Sequence, residues 1–520
     1  MSAKIVYGLF IILCFLSCDS SPQKLSDEVN ATYYDTTKAP FYHGVASGDP
    51  LQDRVIIWTR VSPSTPKPVE VKWAVGTDKK MTNIVKNGQI TTNKSKDYTV
   101  KIDVTGLRPT TSYYYQFEAL GKKSMIGRTK TTAVDNSEKV RLAIVSCNNY
   151  EAGYFNGFAR LAERDDLDAV VHLGDYIYEY GPGTYGDTTL GVTRQHLPAK
   201  EIITLSDYRT RYSQYRLDPD LQKVHQQHPF ITIWDDHEFA NNVYREGAEN
   251  HQEAEGDFNT RKAIAKQAYF EWLPIREGAA KEIYRTIHFG NLVDLIMLDE
   301  RVKGRTIPVD SASQINYAYA DRSMLGSEQL AWFKNELTTS DATWKVIGNQ
   351  VIFSLMDLSW RDPKRPFNLD AWDGYPHEQA QINKFLAEEQ IPNVIFTTGD
   401  THCSWAFEVP LDIAAYKAEG TKKAVAVEFG TPSITSANFD ESTDLAEVQQ
   451  AVAIFVNENF NPHLKYVNLS DHGYLLLTLN QSEAIAEYYY VDKIKTRTTM
   501  EKLAKRFKVT ADSYQLQEIN

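Results

Sequence analysis

The stretch Val170 to Gly181 reads VVHLGDYIYEYG. An apolar run, Val170-Val171-His172-Leu173, stops on Gly174, and Asp175 follows at once. Such a run reads as a buried strand that delivers a carboxylate to one edge of a sheet. Tyr178, three residues on, is placed to turn back to the same point, and Asp with Tyr is a hard oxygen pair suited to a highly charged cation such as ferric iron. A plain strand-to-turn junction with a capping Asp would look the same locally, so the rest of the chain has to decide. His172, inside the run, reads as a satisfied core histidine.

Working outward, the same pattern recurs. RLAIVS (Arg141 to Ser146) ends on Cys147, PFITIW (Pro229 to Trp234) on Asp235-Asp236-His237, and NVIFTTGD (Asn393 to Asp400) on Asp400-x-His402. One strand ending in Asp is usually a turn, but four apolar strands each ending on a metal-binding group point to one site outside the carboxyl ends of a sheet. By ligand type, Cys147 and Tyr178 suit ferric iron, while Asp235, Asp236 and Asn242 offer oxygens for calcium, magnesium or manganese. Asp400 and His402 can complete either position, and Asp175 is central enough to bridge two cations. A pair of cations clamps an in-line phosphoryl displacement and generates hydroxide at neutral pH. His237 is then a candidate to protonate the leaving alkoxide or to hydrogen-bond a phosphoryl oxygen. Arg301, after LVDLIMLD (Leu292 to Asp299), is a candidate for bidentate phosphate pairing, with an ion pair to Glu300 or Asp299 as the alternative.

The grammar of the chain divides it. From Phe41 the pattern is all strand: Val55 to Arg60, the alternating VEVKWAVGTD (Val69 to Asp78) and YTVKIDVTGL (Tyr98 to Leu107), then TGLRPTTSYYYQFEA (Thr105 to Ala119). Gly-Leu-x-Pro between strands, followed by alternating Tyr, reads as a fibronectin-type or immunoglobulin-like β-sandwich over 39–135, with the Tyr113 to Phe117 aromatics as core. From Arg141 strands alternate with helices, giving a larger α/β domain over 140–495. Helices are expected at Phe155 to Glu163, Asn259 to Leu273, Glu328 to Leu337 with Ser327 as N-cap, and Glu378 to Gln390. Strands are expected at Tyr474 to Leu479 and Ala486 to Val491, and a basic helix at about Thr499 to Phe507 within a tail over 496–520.

Bulk properties narrow the function. The 520 residues are 42% hydrophobic and carry a formal net charge of −12, which argues against a nucleic-acid-binding module. Met1 to Ser17 has a basic start at Lys4 and an apolar stretch from Ile5 to Leu16, the pattern of an export signal too short to span a bilayer. Cys18 after Phe15-Leu16-Ser17, with a polar tether over 18–38, matches a bacterial lipoprotein site and predicts a membrane-anchored, periplasmic or cell-surface protein that meets the membrane only through that lipid. Plain secretion is the alternative. Processing would leave Cys147 and Cys403; Cys403 reads as a packed thiol, with a Cys147–Cys403 disulfide as the rival.

Together VSCNN at Val145, HLGDYIYEYG at His172, WDDHEFANN at Trp234, GNQV at Gly348 and TGDTHCSW at Thr398 resemble the PhoD-like alkaline phosphatases, five motifs in order. The resemblance runs from about Phe41 to Val491. It implies a metallophosphatase α/β/β/α sandwich preceded by the β-sandwich, hydrolysis of phosphate monoesters and often diesters by metal-activated hydroxide, and an Fe3+ and Ca2+ centre in which other divalent metals can take the second site. Carried over by residue, Cys147, Asp175 and Tyr178 would hold the iron, with Asp235, Asp236, Asn242, Asp400 and His402 as the pool for the remaining ligands. Two rivals differ in substrate or class. One is a strict phosphodiesterase acting on phospholipid, cell-wall polymer or nucleic acid; the other is a surface glycan-binding lipoprotein with an inactive metal domain.

Overall fold

The computed structural model describes residues 29–135, 137–278, 282–311, 321–363, 366–419 and 423–520. The export signal, Cys18 and the first part of the tether lie outside the described residues. Among the described residues no helix is long and apolar enough to cross a membrane.

Two sheets face each other. In the first, Val140–Val145, Ala169–His172 and Pro229–Thr232 run parallel side by side, and in the second Val293–Met297, Trp344–Gly348, Val394–Thr398 and Ala424–Gly430 do the same. Parallel strands need covered faces on both sides, which is why they read as continuous apolar runs. Period-two alternation sorts their residues. Leu295 and Met297 point between the sheets, where they join Val346, Ile395 and Val427 in one buried cluster with Leu142, Ile144, Val170 and Leu475. Ile296 and Leu298 point the other way, into a second cluster with Phe333 and Leu337 of the helix Gly326–Thr339 and Ile382 and Leu386 of the helix Pro376–Glu388. The helices Leu205–Arg216 and Pro219–Gln227 supply Tyr208, Tyr212, Leu221 and Val224 to the first cluster. The result is the expected α/β/β/α sandwich.

The helices Phe258–Trp272 and Pro219–Gln227 start where Asp257 and Asp218 accept hydrogen bonds from first-turn amides. Ser327 is not an N-cap: the helix already begins at Gly326, whose amide donates to Ser323 Oγ at 2.7 Å.

The N-terminal β-sandwich has its own core, in which Val71, Val75, Tyr113, Tyr115 and Phe117 pack against Val55 and Ile57. Three of its strands, Val45–Gly48, Arg54–Arg60 and Thr99–Thr105, continue the first large sheet through Pro229–Thr232. Their opposite face carries Ala46 and Trp58 into the main core.

The C-terminal tail corrects the sequence reading. Residues read as a basic helix form the strand Glu501–Thr510, paired antiparallel along Glu483–Val491. A helix would have required Leu503 and Phe507 to share a buried face, but Leu503 is 42% exposed while Phe507 and Val509 are buried at alternate positions. The open edge of the sheet overrides the helical composition.

Candidate metal centre

The central strands of each sheet run parallel, and the residues at their carboxyl ends gather at one edge. Three groups of ligand atoms each lie within 4.8 Å of one another: Cys147 with Asp175 and His402, Asp175 with Asp236 and His237, and Asp235 with Asp236 and Asp400. Asp175 belongs to two groups and so does Asp236, so the three form one continuous cluster. Tyr178 joins it, its hydroxyl 3.0 Å from Asp175 Oδ2 and 2.6 Å from Ser436 Oγ.

The backbone bends sharply to aim these groups. Cys147, Asp175, Asn242, Asp400 and His402 all have left-handed backbones, with φ of 58°, 57°, 53°, 61° and 64°. Left-handed geometry costs a non-glycine residue roughly 1–2 kcal/mol. Such strain concentrates at functional sites and persists only where neighbours hold it. Here the neighbours are visible. Cys147 N–H donates to Gly174 O at 3.1 Å and Ser436 N–H to Cys147 O at 3.2 Å. The carboxylate of Glu238 accepts from the amides of Asp175, Tyr176 and Asp235 at 3.1, 2.6 and 2.7 Å, tying two strand ends together. His402 Nδ1 meets Ala437 O at 2.7 Å, which leaves Nε2 as the ligating atom.

Arg301 is fully buried among carboxylates rather than presented to solvent. Its guanidinium pairs with Asp235, with Asp370 at 2.9 Å and with Asp400 at 2.7 Å, while Arg305 holds the other Asp370 oxygen at 2.6 Å. The partners are thus neither Glu300 nor Asp299. The carboxylate of Glu300 instead accepts the amides of Gln350 and Val351, and that of Asp299 the amides of Arg301 and Val302. His237 Nδ1 lies 2.7 Å from Glu179 Oε2, so its other nitrogen faces the cluster. Burial alone would keep His237 neutral, but Glu179, Asp236 and Asp175 outweigh it and push its pKa well up. Asn242 sits beside the cluster with its backbone N–H on Asp236 Oδ2 at 2.6 Å, and its side-chain amide is turned to Glu249 at 2.5 Å.

The donor set fits metal ions. Asp175 Oδ1 and Asp235 Oδ2 are buried acceptors with no hydrogen-bond partner among the described residues. Leaving a buried acceptor unpaired costs about 1–3 kcal/mol, and more when it is charged. Cations held by Asp175, Asp235 and their neighbours would satisfy both oxygens. Cys147 and His402 group with Asp175, whose Oδ2 also meets the Tyr178 hydroxyl, while Asp235, Asp236 and Asp400 form an all-oxygen group.

The same burial predicts a pH effect. Burial first, then neighbouring carboxylates, pushes Asp235 up to about 8 and Asp400 up to about 7 against the pull of Arg301. Between about pH 4 and 8 the folded chain therefore holds protons that the unfolded chain has released. Their contribution to stability is complete below the unfolded pKa and is lost as pH rises through 7 to 8. Asp236 is shifted down, because Arg301 and His237 outweigh its burial, so its contribution changes only on the acid side of this window. Chelator-treated protein is expected to melt at a lower temperature at pH 9 than at pH 6, and metal-loaded protein to lose most of that slope. Thermal melts across this range check it; a melting temperature that rises with pH in the chelated protein would contradict it.

The sequence reading missed several residues of this site. Glu238 and Glu179 stand inside two of the quoted motifs, but their partners are backbone amides and a histidine brought close only by folding. Asp370 lies in a loop with no apolar strand before it, and Ser436 follows Thr431-Pro432 rather than a charged motif. Tyr185 is 39% exposed and stacks on Tyr178 at 5.5 Å, with His237 at 5.2 Å and His402 at 6.4 Å, so it roofs the cluster. Two expectations hold in detail. His172 is a core group, hydrogen-bonded to Asn148 at 2.6 Å and pushed by burial to about 3. Cys403 is a buried free thiol packed in the outer cluster, and Cys147 is free as well, so no disulfide joins them.

Comparison with known proteins places this geometry. Residues 142–488 match the model of the PhoD-like phosphatase family, and residues 28–133 match that of the N-terminal domain of the same family. The chain is 36% identical over 485 residues to alkaline phosphatase D of Bacillus subtilis strain 168, covering 89% of this chain and 79% of the relative. A solved structure of PhoD superposes with a TM-score of 0.82 at 32% identity and covers 93% of both chains.

Proposed function

The chain belongs to the PhoD-like phosphatase family and is a metal-dependent phosphoric ester hydrolase, and we propose that it hydrolyses phosphate monoesters and diesters at an iron and calcium centre built on Asp175. The observation that carries this reading is the continuous cluster in which Asp175 and Asp236 each belong to two ligand groups. Cys147, Tyr178, Asp175 and His402 would hold ferric iron, and Asp235, Asp236 and Asp400 calcium, since anionic thiolate and phenolate donors with an imidazole suit the one and an all-carboxylate set the other. Cations there supply Lewis-acid neutralisation of the phosphoryl oxygens and lower the pKa of water from about 15.7 to about 7.

The protein's own groups then have defined tasks. Asp175 fixes the spacing of the two positions. Protonated His237, oriented by Glu179, faces the cluster with Nε2 and donates a proton to the leaving oxygen. Arg301 provides the fixed positive charge that allows Asp235, Asp370 and Asp400 to be buried together. Tyr185 limits access of water from above. The protein is proposed to act outside the cytoplasm, exported by Met1 to Ser17 and anchored by lipid on Cys18, on the strength of that sequence pattern.

The test combines elemental analysis with two chromogenic esters of one phenol. Iron and calcium in the purified protein, turnover of both the monoester and the diester, and loss of visible absorption in Tyr178→Phe are expected. Turnover of the diester alone would favour a strict phosphodiesterase. An unchanged spectrum in Tyr178→Phe would remove Tyr178 from the ligands.

A further inference from the structure

The two sides of the carboxylate cluster open into different cavities. On one side Asn242, Glu249, Asp310 and Asp370, together with Ile307, Pro308, Val309 and Leu369, line a cavity of about 610 Å³ of mixed polarity. On the other, Asp400 opens into a cavity of about 540 Å³ walled mainly by Met356, Leu358, Trp405, Phe439 and Phe455, with Arg361 and Asp362 also lining it. Phe367 and Asn368 line both and form the partition. Both volumes fall in the range of about 300–1,000 Å³ typical of small-molecule sites.

The apolar wall is built, not incidental. Met356, Trp405 and Phe455 are only 4%, 3% and 3% exposed. The Trp405 ring packs edge-on against Phe455 at 5.2 Å, and its indole N–H donates to Thr401 Oγ1 at 2.8 Å. That bond satisfies its one polar atom and locks the wall to the residue following Asp400. Phe455 is braced from another side by Trp360, also at 5.2 Å. A rigid aromatic wall that begins at a carboxylate of the metal cluster suits a hydrocarbon or an aromatic ring on the ester, and the Arg361 guanidinium beside it lies over the Phe439 ring at 5.7 Å.

Resting on the phosphoesterase reading above, we propose that the cavity beside Asp400 is a substrate subsite that takes the alcohol arm of the ester, and that it selects esters whose arm is apolar or aromatic. The phosphoryl group lies at the carboxylate cluster and the arm extends past Asp400 between Leu358 and Phe439. A second, polar arm, where the substrate is a diester, falls on the Asn242 side of the partition.

The experiment titrates the metal-loaded enzyme with methylphosphonate and benzylphosphonate, by calorimetry and as competitive inhibitors. The two probes share the phosphonate and differ only in the arm. Benzylphosphonate is expected to bind at least about tenfold more tightly, a modest return for burying one ring. Leu358→Trp, which fills the cavity, and Phe439→Ala, which removes a wall, should each bring the ratio towards one while leaving methylphosphonate binding unchanged. Equal affinity of the two probes for the unmodified enzyme would overturn the subsite and leave the phosphoesterase reading standing, as would a preference that survives both substitutions. If neither phosphonate binds and no phosphate ester turns over, the phosphoesterase reading fails and the subsite falls with it.

Discussion

Asp175→Asn is expected to lower turnover by at least about a thousandfold and to strip most of the bound metal, without unfolding the protein. The substitution is nearly isosteric, and its backbone requirement is unusual: Asp175 has φ of 57°. Asn is among the few residues that adopt that conformation readily, so no backbone strain is added. What changes is charge and one acceptor. Asp175 Oδ1 is the buried oxygen without a partner among the described residues, and Oδ2 accepts from Tyr178. Burial, followed by the fields of Asp235, Asp236 and Glu238, pushes this carboxyl well above its ordinary range despite the pull of His237. The chelated variant should therefore melt no lower than the chelated parent, because a neutral amide replaces a carboxyl whose charged form the metal-free interior disfavours. Loss of even an outer partner of a metal ligand typically costs 10–100-fold in metal affinity, and a shared ligand should exceed about 100-fold. A thousandfold in rate corresponds to about 4 kcal/mol of transition-state stabilisation, within the several kcal/mol that bound cations contribute. Near-normal turnover with full metal content would refute the bridging role. A large fall in the melting temperature of the chelated variant would show that the loss is structural.

That position shows why so much of the site was readable before folding. Cys147, Asp175, Asp235, Asp236, Asp400 and His402 follow buried parallel strands, and such strands announce themselves as apolar runs with abrupt polar ends. One rule, that sites form outside the carboxyl ends of such sheets, was enough to bring them together. The residues that escaped obey no local rule. Asp370 reaches the cluster because Arg301 and Arg305 draw it in, and that pairing exists only after two loops about 70 residues apart have met. Glu238 reads as one more acid after Asp235-Asp236-His237, yet it is the acceptor that fixes the backbones of Asp175 and Asp235. The position of Arg301 at a strand end leaves two readings open, a phosphate ligand or an ion pair with Glu300 or Asp299. In the fold its donors are occupied by carboxylates, because a centre holding Asp235, Asp236, Asp370 and Asp400 at low dielectric requires a fixed cation nearby. The C-terminal strand escaped for a different reason. MEKLAKRFKV has helical composition, and only the exposed edge of Glu483–Val491 makes it a strand.

Gly174→Ala is expected to be the most damaging single-atom change near the centre, destabilising the protein by about 3–5 kcal/mol and abolishing metal binding. Two costs act at one position. Gly174 has φ of 110°, a conformation that L side chains rarely adopt, and an added Cβ would lie 2.3 Å from Asp235 Cβ and 2.5 Å from Asp235 N. The backbone cost alone is of order 1–3 kcal/mol, and overpacking a tight interior adds about 1–3 kcal/mol. Against a total stability of about 5–15 kcal/mol, that sum is a large fraction. The clash is with backbone and with a ligand, so it cannot be relieved by rotating a distant side chain. The strand end carrying Asp235 has to move away from the one carrying Asp175, and the amide donors that Glu238 holds in register separate. Gly191→Ala isolates the two terms. Gly191 also has positive φ, at 79°, but nothing lies within 4 Å of its added Cβ. It should lose only the backbone term, about 1 kcal/mol, and keep its metal. Denaturant unfolding of both variants, with elemental analysis, reads the difference. Gly174→Ala should be at least about 2 kcal/mol less stable than Gly191→Ala if packing of Gly174 against Asp235 holds the two strand ends at ligand distance. Equal stabilities with metal retained would mean that the two strand ends can separate and still form the centre, and the close approach at Gly174 would then have no part in building it.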